Sequence, residues 1–332
     1  MKHPQNHETV QAPIHSGFGS MTTAKEVMGN RNLKGKVAIV TGGYSGIGTE
    51  TTRVLAEAGA TIIVPARSPE KAKAALSGIP NIELEVLDLM DPASIDAFAQ
   101  RFLASGRPLH IQINGAGIMA APLRRDARGY ESQFSTNHLG HFQLTARLWP
   151  ALKKAKGARV VAISSWGHRY GGVDFDDPNY EQREYDKWKS YAQSKSANAL
   201  FALALDKRGR SHSIRAFALH PGVIPDTELG RDLNETELPV VVKRLEDGQP
   251  ISSDNNMMFK TVQQGAATTI WCAVSVLLNG MGGIYCQDVD IAEAVPADSN
   301  KPSGVWPWAR DPELAEQLWQ LSEKLTGVKF PI

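Results

Sequence analysis

Short apolar runs alternate with amphipathic stretches along most of the chain. The runs are rich in β-branched or aliphatic residues and are bounded by turn residues, a pattern that predicts buried strands. These runs cover residues 36–40, 60–64, 82–87, 111–113, 159–163, 214–219 and 283–286. Between them, apolar residues recur at helical spacing. The alternation predicts a doubly wound α/β fold, with a parallel sheet of about seven strands and helices on both faces.

Three segments depart from this alternation. Residues 1–33 are polar and predict an arm outside the core. Residues 225–260 carry many polar residues and no clear strand, so we expect a substrate lid over the carboxyl edge of the sheet, where doubly wound folds bind ligands. Residues 305–332 predict a C-terminal helical extension. No internal repeat or low-complexity linker divides the chain, and residues 34–332 are therefore predicted to form one domain.

Local signals also mark where three helices begin. Thr22 or Thr23 is placed to cap a short helix at residues 24–28. Pro69 fits the first turn of the helix after the second strand, because its fixed φ suits that position. Asp91 is placed to cap the helix after the third strand.

Composition narrows the classes of partner and site. The 332 residues carry a formal net charge of +1, so we expect no nucleic-acid partner. No apolar run approaches the ~18 residues needed to cross a bilayer, and the N-terminus has no apolar signal-peptide core. These features predict a cytoplasmic protein without a membrane segment. Cys272 and Cys286 fit no metal spacing and are predicted to be buried reduced thiols.

A glycine-rich loop follows the first predicted strand and precedes an amphipathic helix. Glycine lets the backbone turn tightly and approach a pyrophosphate, which rests on the free N–H groups of the helix N-terminus. A bare glycine pattern is a weak signal, but here the strand and the helix supply the required context. We expect a nucleotide to contact Gly42, Tyr44, Ser45, Gly46, Ile47 and Gly48.

The end of the second strand separates two cofactors. Folds that select NAD place an acidic residue there to hold the ribose 2′-hydroxyl. Residues 64–68 contain no carboxylate but one guanidinium, Arg67, which can pair with a 2′-phosphate. The alternative is a solvated loop arginine. NADP(H) is therefore favoured over NAD(H), and Asp88 and Leu89 are placed to meet the adenine, although an Asp there also suits a turn or helix cap.

Tyr191 and Lys195 lie four residues apart in a helical run. Residues at this spacing share a helix face, so the phenol and the ammonium are predicted to point the same way. We expect the ammonium to lower the pKa of the phenol from its ordinary ~10 and to make Tyr191 a general acid or base. Such a pair alone usually decorates a surface. The pair becomes a candidate catalytic pair through Asn137 and through polar residues that follow neighbouring strands. These polar residues lie at Ser164–Ser165, Asn114–Gly117 and His220–Gly222.

Together these motifs resemble the short-chain dehydrogenase/reductase family, whose order they follow across roughly residues 34 to 290. The family has a Rossmann fold and uses NAD(P)(H). Within it, the chain is most similar to the retinol dehydrogenase and WW-domain oxidoreductase branch. The stretches that carry this closer resemblance are residues 137–142, 164–168, 220–223 and 311–319.

The resemblance implies a catalytic tetrad. Tyr191 would donate a proton to a carbonyl oxygen in reduction or take one from an alcohol in oxidation. Ser165 would hydrogen-bond the same oxygen, in preference to Ser164. Lys195 would hold the nicotinamide ribose and tune Tyr191, while Asn137 would anchor a water. Cofactor contacts are implied at Asn114, Gly115, Ala116, Pro221, Gly222, Val223, Thr227, Tyr191 and Lys195.

The sequence also departs from the family pattern. Gly115 replaces a second asparagine, and His110 stands where aspartate is common. Residues 221–227 are one residue longer than usual, which affects the contact expected from Thr227. The membrane anchor of many retinol dehydrogenases is not found, so a retinoid substrate gains little support.

These observations predict an NADP(H)-dependent oxidoreductase that interconverts a small-molecule carbonyl and an alcohol. Two alternatives stay open: reduction of an activated C=C bond, and a non-catalytic NADP-binding regulator. Aromatic residues between Ser165 and Tyr191 could line a cleft for a bulky, apolar substrate or could pack the lid onto the sheet. His168 among them is interpreted as structural. A homodimer or homotetramer that pairs through the helix of Tyr191 is possible. The aromatic residues are Trp166, Tyr170, Tyr180, Tyr185 and Trp188.

Overall fold

The strands form one large sheet and a separate hairpin. In the computed structural model, residues 9–225, 227–231, 233, 242–244, 250–252 and 259–332 are described. The strands are β1 Val37–Thr41, β2 Thr61–Ala66, β3 Ile82–Val86, β4 Ile111–Asn114, β5 Ala158–Ile163, β6 Ile214–His220, β7 Val242–Arg244, β8 Pro250–Ser252, β9 Ile284–Gln287 and β10 Asp290–Ile291.

Eight of these strands form the sheet, in the order β10-β9-β6-β5-β4-β1-β2-β3. All neighbours pair in parallel except β9 and β10, which pair antiparallel, and β7 and β8 form a separate two-stranded ladder. The seven predicted parallel strands are confirmed. The short β10 was not predicted, because two residues give no periodic signal.

Helices cover both faces of this sheet. They are α1 Ala24–Met28, α2 Gly46–Glu57, α3 Pro69–Ala75, α4 Pro92–Ala104, α5 Ser132–Phe134, α6 Gly140–Lys154, α7 Lys187–Gly209, α8 Val262–Gly265, α9 Ala267–Val274 and α10 Pro312–Thr326. The predicted helix starts are confirmed: Thr23 and Glu26 form a capping box on α1, Pro69 occupies the first turn of α3, and the Asp91 side chain accepts a hydrogen bond at the start of α4.

The buried apolar side chains divide into two clusters, one on each face. Successive residues of β1 alternate between them, because successive side chains of a strand point to opposite faces. One cluster includes Trp149 of α6 and Trp319 of α10, and the other includes Leu55 of α2 and Trp271 of α9. Helices therefore pack on both faces, as the alternation predicted.

The N-terminal segment is more integrated than predicted. Ala24, Val27 and Met28 are buried and join the second cluster, where α1 packs against α9. Farther upstream, the Gln11 amide donates hydrogen bonds to the carbonyl oxygens of Tyr285 and Ala292. The expectation of an arm outside the core was wrong for this part, because the short helix predicted there buries its one apolar face.

Most of the predicted lid at 225–260 lies outside the described residues. At its end, Phe259 forms a bridge with Val223, and the Lys260 N–H donates to the Val223 carbonyl oxygen at 2.8 Å. The chain therefore returns to the loop that follows β6. In the C-terminal segment, α10 packs along α7, the helix that carries Tyr191 and Lys195.

The remaining features concern the cysteines, metal-binding clusters and membrane-spanning helices. Cys272 and Cys286 are free and buried, as predicted. Among the described residues, no cluster of His, Cys, Asp and Glu is arranged to hold a metal ion. Across the same residues, no helix is both long and apolar enough to cross a bilayer.

Candidate active site

A cavity of about 1610 Å³ opens at the carboxyl edge of the sheet, where β1, β2, β4, β5 and β6 end. It exceeds the roughly 300–1,000 Å³ of common ligand pockets. Most residues predicted for the site line this single cavity. They are Gly42, Tyr44, Ser45, Gly46, Ile47, Gly48, Arg67, Asp88, Leu89, Gly115, Ala116, Ser165, Tyr191, Lys195, Pro221, Gly222, Val223 and Thr227.

Asn114 and Asn137 do not line the cavity. The Asn114 side chain is buried, accepts a hydrogen bond from the Gln112 amide at 2.9 Å and donates to Thr145 Oγ1 at 3.4 Å. It ties β4 to α6. The structure thus gives Asn114 a supporting contact beneath the cavity.

The glycine loop lies close against neighbouring backbone. Gly42 has φ of +69°, and a Cβ there would lie 2.9 Å from the Ala116 Cα. A Cβ on Gly46 would lie 3.1 Å from Cγ2 of Thr227, which places that threonine directly over the loop. Side chains at these positions would therefore strain the turn or fill the space beside the cavity.

The start of α2 is left without a side-chain cap. Ser45 occupies the N-cap position, but its side chain makes no capping hydrogen bond. Asp91 and Asp186 do cap α4 and α7 with their carboxylates. Gly46, Ile47 and Gly48 of the first turn line the cavity and have no side-chain cap, the arrangement that suits an anion.

Two basic side chains lie near the end of β2, one just after the strand and one on α3. Arg67 is exposed at the cavity wall, and Lys71, on the first turns of α3, lines the same wall. Sequence reasoning missed Lys71. A usable signal was present, because Pro69 was predicted in the first turn of this helix and Lys71 follows it by two residues, close to the strand end.

Asp88 is partly committed to its own turn. One carboxylate oxygen accepts from the Met90 N–H at 2.9 Å, and the Asp88 N–H donates to Ser94 Oγ. Asp88 therefore stabilises a turn, the alternative that the sequence left open, and it also lines the cavity beside Leu89.

Tyr191 and Ser165 meet at the inner end of the cavity. Tyr191 is buried, and the neighbouring Ser165 side chain stabilises its phenolate form. Ser165 Oγ in turn accepts from the Gly167 N–H at 3.0 Å. A Cβ on Gly167 would lie 3.1 Å from Tyr191 Cε1, so glycine lets this backbone approach the ring.

The pKa of Tyr191 is raised to about 12, because burial penalises the phenolate more than the Ser165 hydrogen bond stabilises it. The expectation that Lys195 would lower this pKa was wrong for this structure. The Lys195 ammonium lies 5.5 Å from the centre of the phenol ring, and burial dominates.

Lys195 is itself buried, and desolvation lowers the pKa of its ammonium to about 8. Its Nζ donates to the Ile163 carbonyl oxygen at 3.1 Å, an acceptor shared with the Asn198 amide at 2.9 Å. Ser164 Oγ donates to the Lys195 carbonyl oxygen at 2.7 Å. Ser164 thus braces α7, whereas Ser165 contacts the phenol.

Asn137 lies behind Lys195 in a π-helical turn, Ser135–Leu139. Its side chain accepts from the Ile118 N–H at 2.9 Å and donates to Ser194 Oγ at 2.9 Å. A Cβ on Gly117 would lie 3.0 Å from Asn137 Oδ1 and 3.6 Å from Lys195 Nζ, so both side chains border the same gap. π-Helical turns are frequent at functional sites.

This arrangement can be compared with known proteins. A family model described as short chain dehydrogenase matches residues 36–238. The chain belongs to the short-chain dehydrogenase family. It is therefore an oxidoreductase of that family, and the predicted membership is confirmed.

Relatives and solved structures agree with this assignment. A "probable oxidoreductase" of Streptomyces lividans is 40% identical over 297 residues, which cover 87% of this chain and 97% of the relative. Human "retinol dehydrogenase 12" is 37% identical over 307 residues, covering 91% of this chain and 89% of the relative. A crystal structure of an uncharacterised Mycobacterium paratuberculosis protein has a TM-score of 0.70 and 32% identity, covering 92% of this chain and 98% of that one.

In this short-chain dehydrogenase, the two residues that depart from the family pattern, His110 and Gly115, each fit a specific backbone contact. The His110 ring Nδ1 accepts from the Val37 backbone N–H at 3.1 Å, and the His110 backbone N–H donates to the Val37 carbonyl oxygen. The histidine thus joins β4 to β1. At Gly115, a Cβ would lie 3.0 Å from the Thr41 carbonyl oxygen, so glycine fits a close approach between two strand ends.

The aromatic residues between Ser165 and Tyr191 divide into two groups. Trp166, Tyr170 and Trp188 line the cavity of the dehydrogenase, and the Tyr170 side chain is 61% exposed there. Tyr180 and Tyr185 pack against each other outside the cavity, with ring centres 5.1 Å apart. The first group thus borders the cavity, whereas the second group packs away from it.

Proposed function

We propose that this short-chain dehydrogenase interconverts a ketone or aldehyde and an alcohol with NADP(H), and that Tyr191 is the general acid and base. One observation carries the proposal. A buried phenol, close to the Lys195 ammonium, shares a cavity with Ser165, an uncapped helix N-terminus and a glycine loop. Proton transfer and dinucleotide binding thus share one space.

The residues present fit a dinucleotide. The glycine loop and the free N–H groups of α2 suit a pyrophosphate, and Arg67 with Lys71 suits a 2′-phosphate. No carboxylate stands in residues 64–68 at the end of β2 to favour an unphosphorylated ribose. When bound, the nicotinamide supplies or accepts the hydride.

The chain's own residues handle the proton. In reduction, the Tyr191 hydroxyl donates to the carbonyl oxygen, and a pKa of about 12 keeps that hydroxyl protonated at neutral pH. Ser165 Oγ already accepts from Gly167, which leaves its own O–H to donate to the same oxygen. With a dinucleotide bound, the Lys195 ammonium would hold the nicotinamide ribose, and Asn137 would anchor a water behind it.

The substrate end of the cavity favours a bulky apolar carbonyl. Trp166, Tyr170 and Trp188 line the same cavity as Tyr191. Aromatic side chains offer large contact areas to apolar ligands. The presence of both Tyr191 and Lys195 argues against a regulator that binds the cofactor without turning over.

Turnover can be tested with a probe that contains both reducible groups. We expect NADPH-dependent reduction of benzylideneacetone to its allylic alcohol, with faster turnover of benzil than of acetone because benzil fills the aromatic end of the cavity. Loss of NADPH absorbance gives the rate, and chromatography identifies the product. A saturated ketone as product would instead support C=C reduction, and no turnover of any probe while NADPH binds would contradict the proposal.

Cofactor selection depends on the two cations at the end of β2. We expect Arg67→Ala to raise the KM for NADPH by roughly 10- to 100-fold, since a charged hydrogen bond contributes about 1.5–3 kcal/mol, and to leave the KM for NADH nearly unchanged. Lys71→Ala should act in the same direction with a smaller effect. Steady-state kinetics with both cofactors measure this.

A matched control for these variants is Lys73→Ala. Lys73 is exposed on the same helix but does not line the cavity. We expect its removal to leave both KM values unchanged. Equal increases for NADPH and NADH in Arg67→Ala would argue against a 2′-phosphate contact.

A further inference from the structure

The carbonyl oxygen of Ser165 accepts hydrogen bonds from two buried side chains outside the cavity. His168 Nδ1 lies 2.6 Å from this oxygen, and the Tyr285 hydroxyl lies 3.1 Å from it. Neither residue lines the cavity, and each is at most 3% exposed. Both therefore act on the protein rather than on a ligand.

The partners of His168 fix its tautomer. The Ser165 carbonyl oxygen can only accept, so the proton of the ring sits on Nδ1. On the other side, Nε2 accepts from the Trp306 N–H at 3.3 Å. Burial lowers the pKa of His168 to about 4, so the ring stays neutral near neutral pH and both bonds persist.

The same loop is held from the C-terminal segment. Trp308 Nε1 donates to the His168 carbonyl oxygen at 2.7 Å, and Trp166 Nε1 donates to the Pro302 carbonyl oxygen at 2.8 Å. The His168 ring lies between those of Tyr285 and Trp306, with centres 4.8 Å and 5.5 Å away. The short 3₁₀ turn Trp166–Tyr170 is thus fixed at several points.

Fixing the Ser165 carbonyl also fixes the Ser165 hydroxyl. The peptide that carries this carbonyl joins Ser165 to Trp166, and Gly167 follows. The backbone N–H of Gly167 donates to Ser165 Oγ and so sets its position. Rotation of the peptide would turn the Trp166 N–H away from His220 Nδ1, and it would shift the following Gly167 N–H and with it the position of Ser165 Oγ beside Tyr191. Displacements on the order of 1 Å at a reacting group can cost about 10²-fold in rate.

We propose that His168 and Tyr285 are positioning residues that orient Ser165 for proton transfer by holding its carbonyl oxygen. This inference rests on the proposed function, because it assigns a role to Ser165 in turnover. It gives the C-terminal segment around Trp306 a part in the active site, although that segment does not touch the cavity.

A double-mutant cycle tests the proposal with benzil and NADPH. We expect Tyr285→Phe to lower kcat by about tenfold, since it removes one hydrogen bond and keeps the ring. His168→Leu should lower kcat by about 10- to 100-fold, whereas His168→Asn, which can place an N–H near the Nδ1 position, should restore most of it. The KM for NADPH should stay unchanged in all three variants.

The second half of the cycle makes the same substitutions in the Ser165→Ala variant. High enzyme concentrations are used there, so that the slow turnover of this variant can be measured. If His168 and Tyr285 act through Ser165, their substitution should then change kcat less than about twofold. Equal losses in both backgrounds would overturn the proposal, as would unchanged kcat in the single variants. No turnover of benzil or benzylideneacetone by the wild type, with NADPH bound, would overturn the proposed function and this inference with it.

Tyr130→Phe serves as a matched control. Its hydroxyl also donates to a backbone carbonyl, that of Leu325 at 3.0 Å, but it does so away from the cavity. We expect this variant to keep the wild-type kcat. Circular dichroism, thermal unfolding and NADPH fluorescence confirm that each variant folds and binds cofactor.

Discussion

Replacement of Tyr191 by phenylalanine is expected to lower kcat by about 10²- to 10⁴-fold, the range that general acid–base groups contribute. The substitution removes only the hydroxyl, while the buried ring keeps its packing against Gly167. Ser165 cannot replace it as the acid, because an aliphatic hydroxyl holds its proton far more tightly than a phenol. NADPH should bind with nearly unchanged affinity.

The measurements are single-turnover reduction of benzil and titration of NADPH fluorescence. Tyr180→Phe is the matched control, because the Tyr180 hydroxyl is buried without a hydrogen-bond partner among the described residues and lies outside the cavity. That variant should keep full activity. Retention of wild-type kcat in Tyr191→Phe would remove the central element of the proposed mechanism.

The architecture was accessible from sequence because a parallel sheet buries both faces of its strands. The stretches at residues 37–40 and 216–219 are apolar throughout, and they are too short to be buried helices. The helix α1 was also predicted, yet its burial was not. Its apolar face is only Ala24, Val27 and Met28, and the surface that covers it comes from α9, more than 200 residues away.

The candidate site was predictable where one strand end or one helix turn carries the signal. Arg67 follows β2 directly, and Tyr191 and Lys195 share one face of α7. The contact between His168 and Tyr285 joins residues 117 positions apart, and no local pattern encodes it. The pKa of Tyr191 was mispredicted for a related reason, since desolvation depends on the whole enclosure rather than on one neighbouring ammonium.

Lys195→Met is expected to lower kcat by at least about 10²-fold while making the cofactor-free protein more stable. Burial lowers the pKa of Lys195 to about 8 from its ordinary 10.5, so the unfolded chain binds this proton more tightly than the folded protein does. The buried charge therefore opposes folding below pH 8, and this cost disappears as the pH rises from about 8 to 10.5. Methionine has a similar length and carries no charge.

The substitution also leaves no acceptor unpaired, because the Ile163 carbonyl oxygen keeps its hydrogen bond from the Asn198 amide. We expect the free energy of unfolding to rise on the order of 2 kcal/mol at pH 7, and this gain should shrink toward pH 10. Urea denaturation at the two pH values measures it, with Lys207→Met, an exposed lysine of the same helix, as the control without a gain. A destabilised Lys195→Met at pH 7 would mean that the ammonium supports the fold, whereas a stabilised and inactive variant would mean that its burial opposes folding and that turnover requires it.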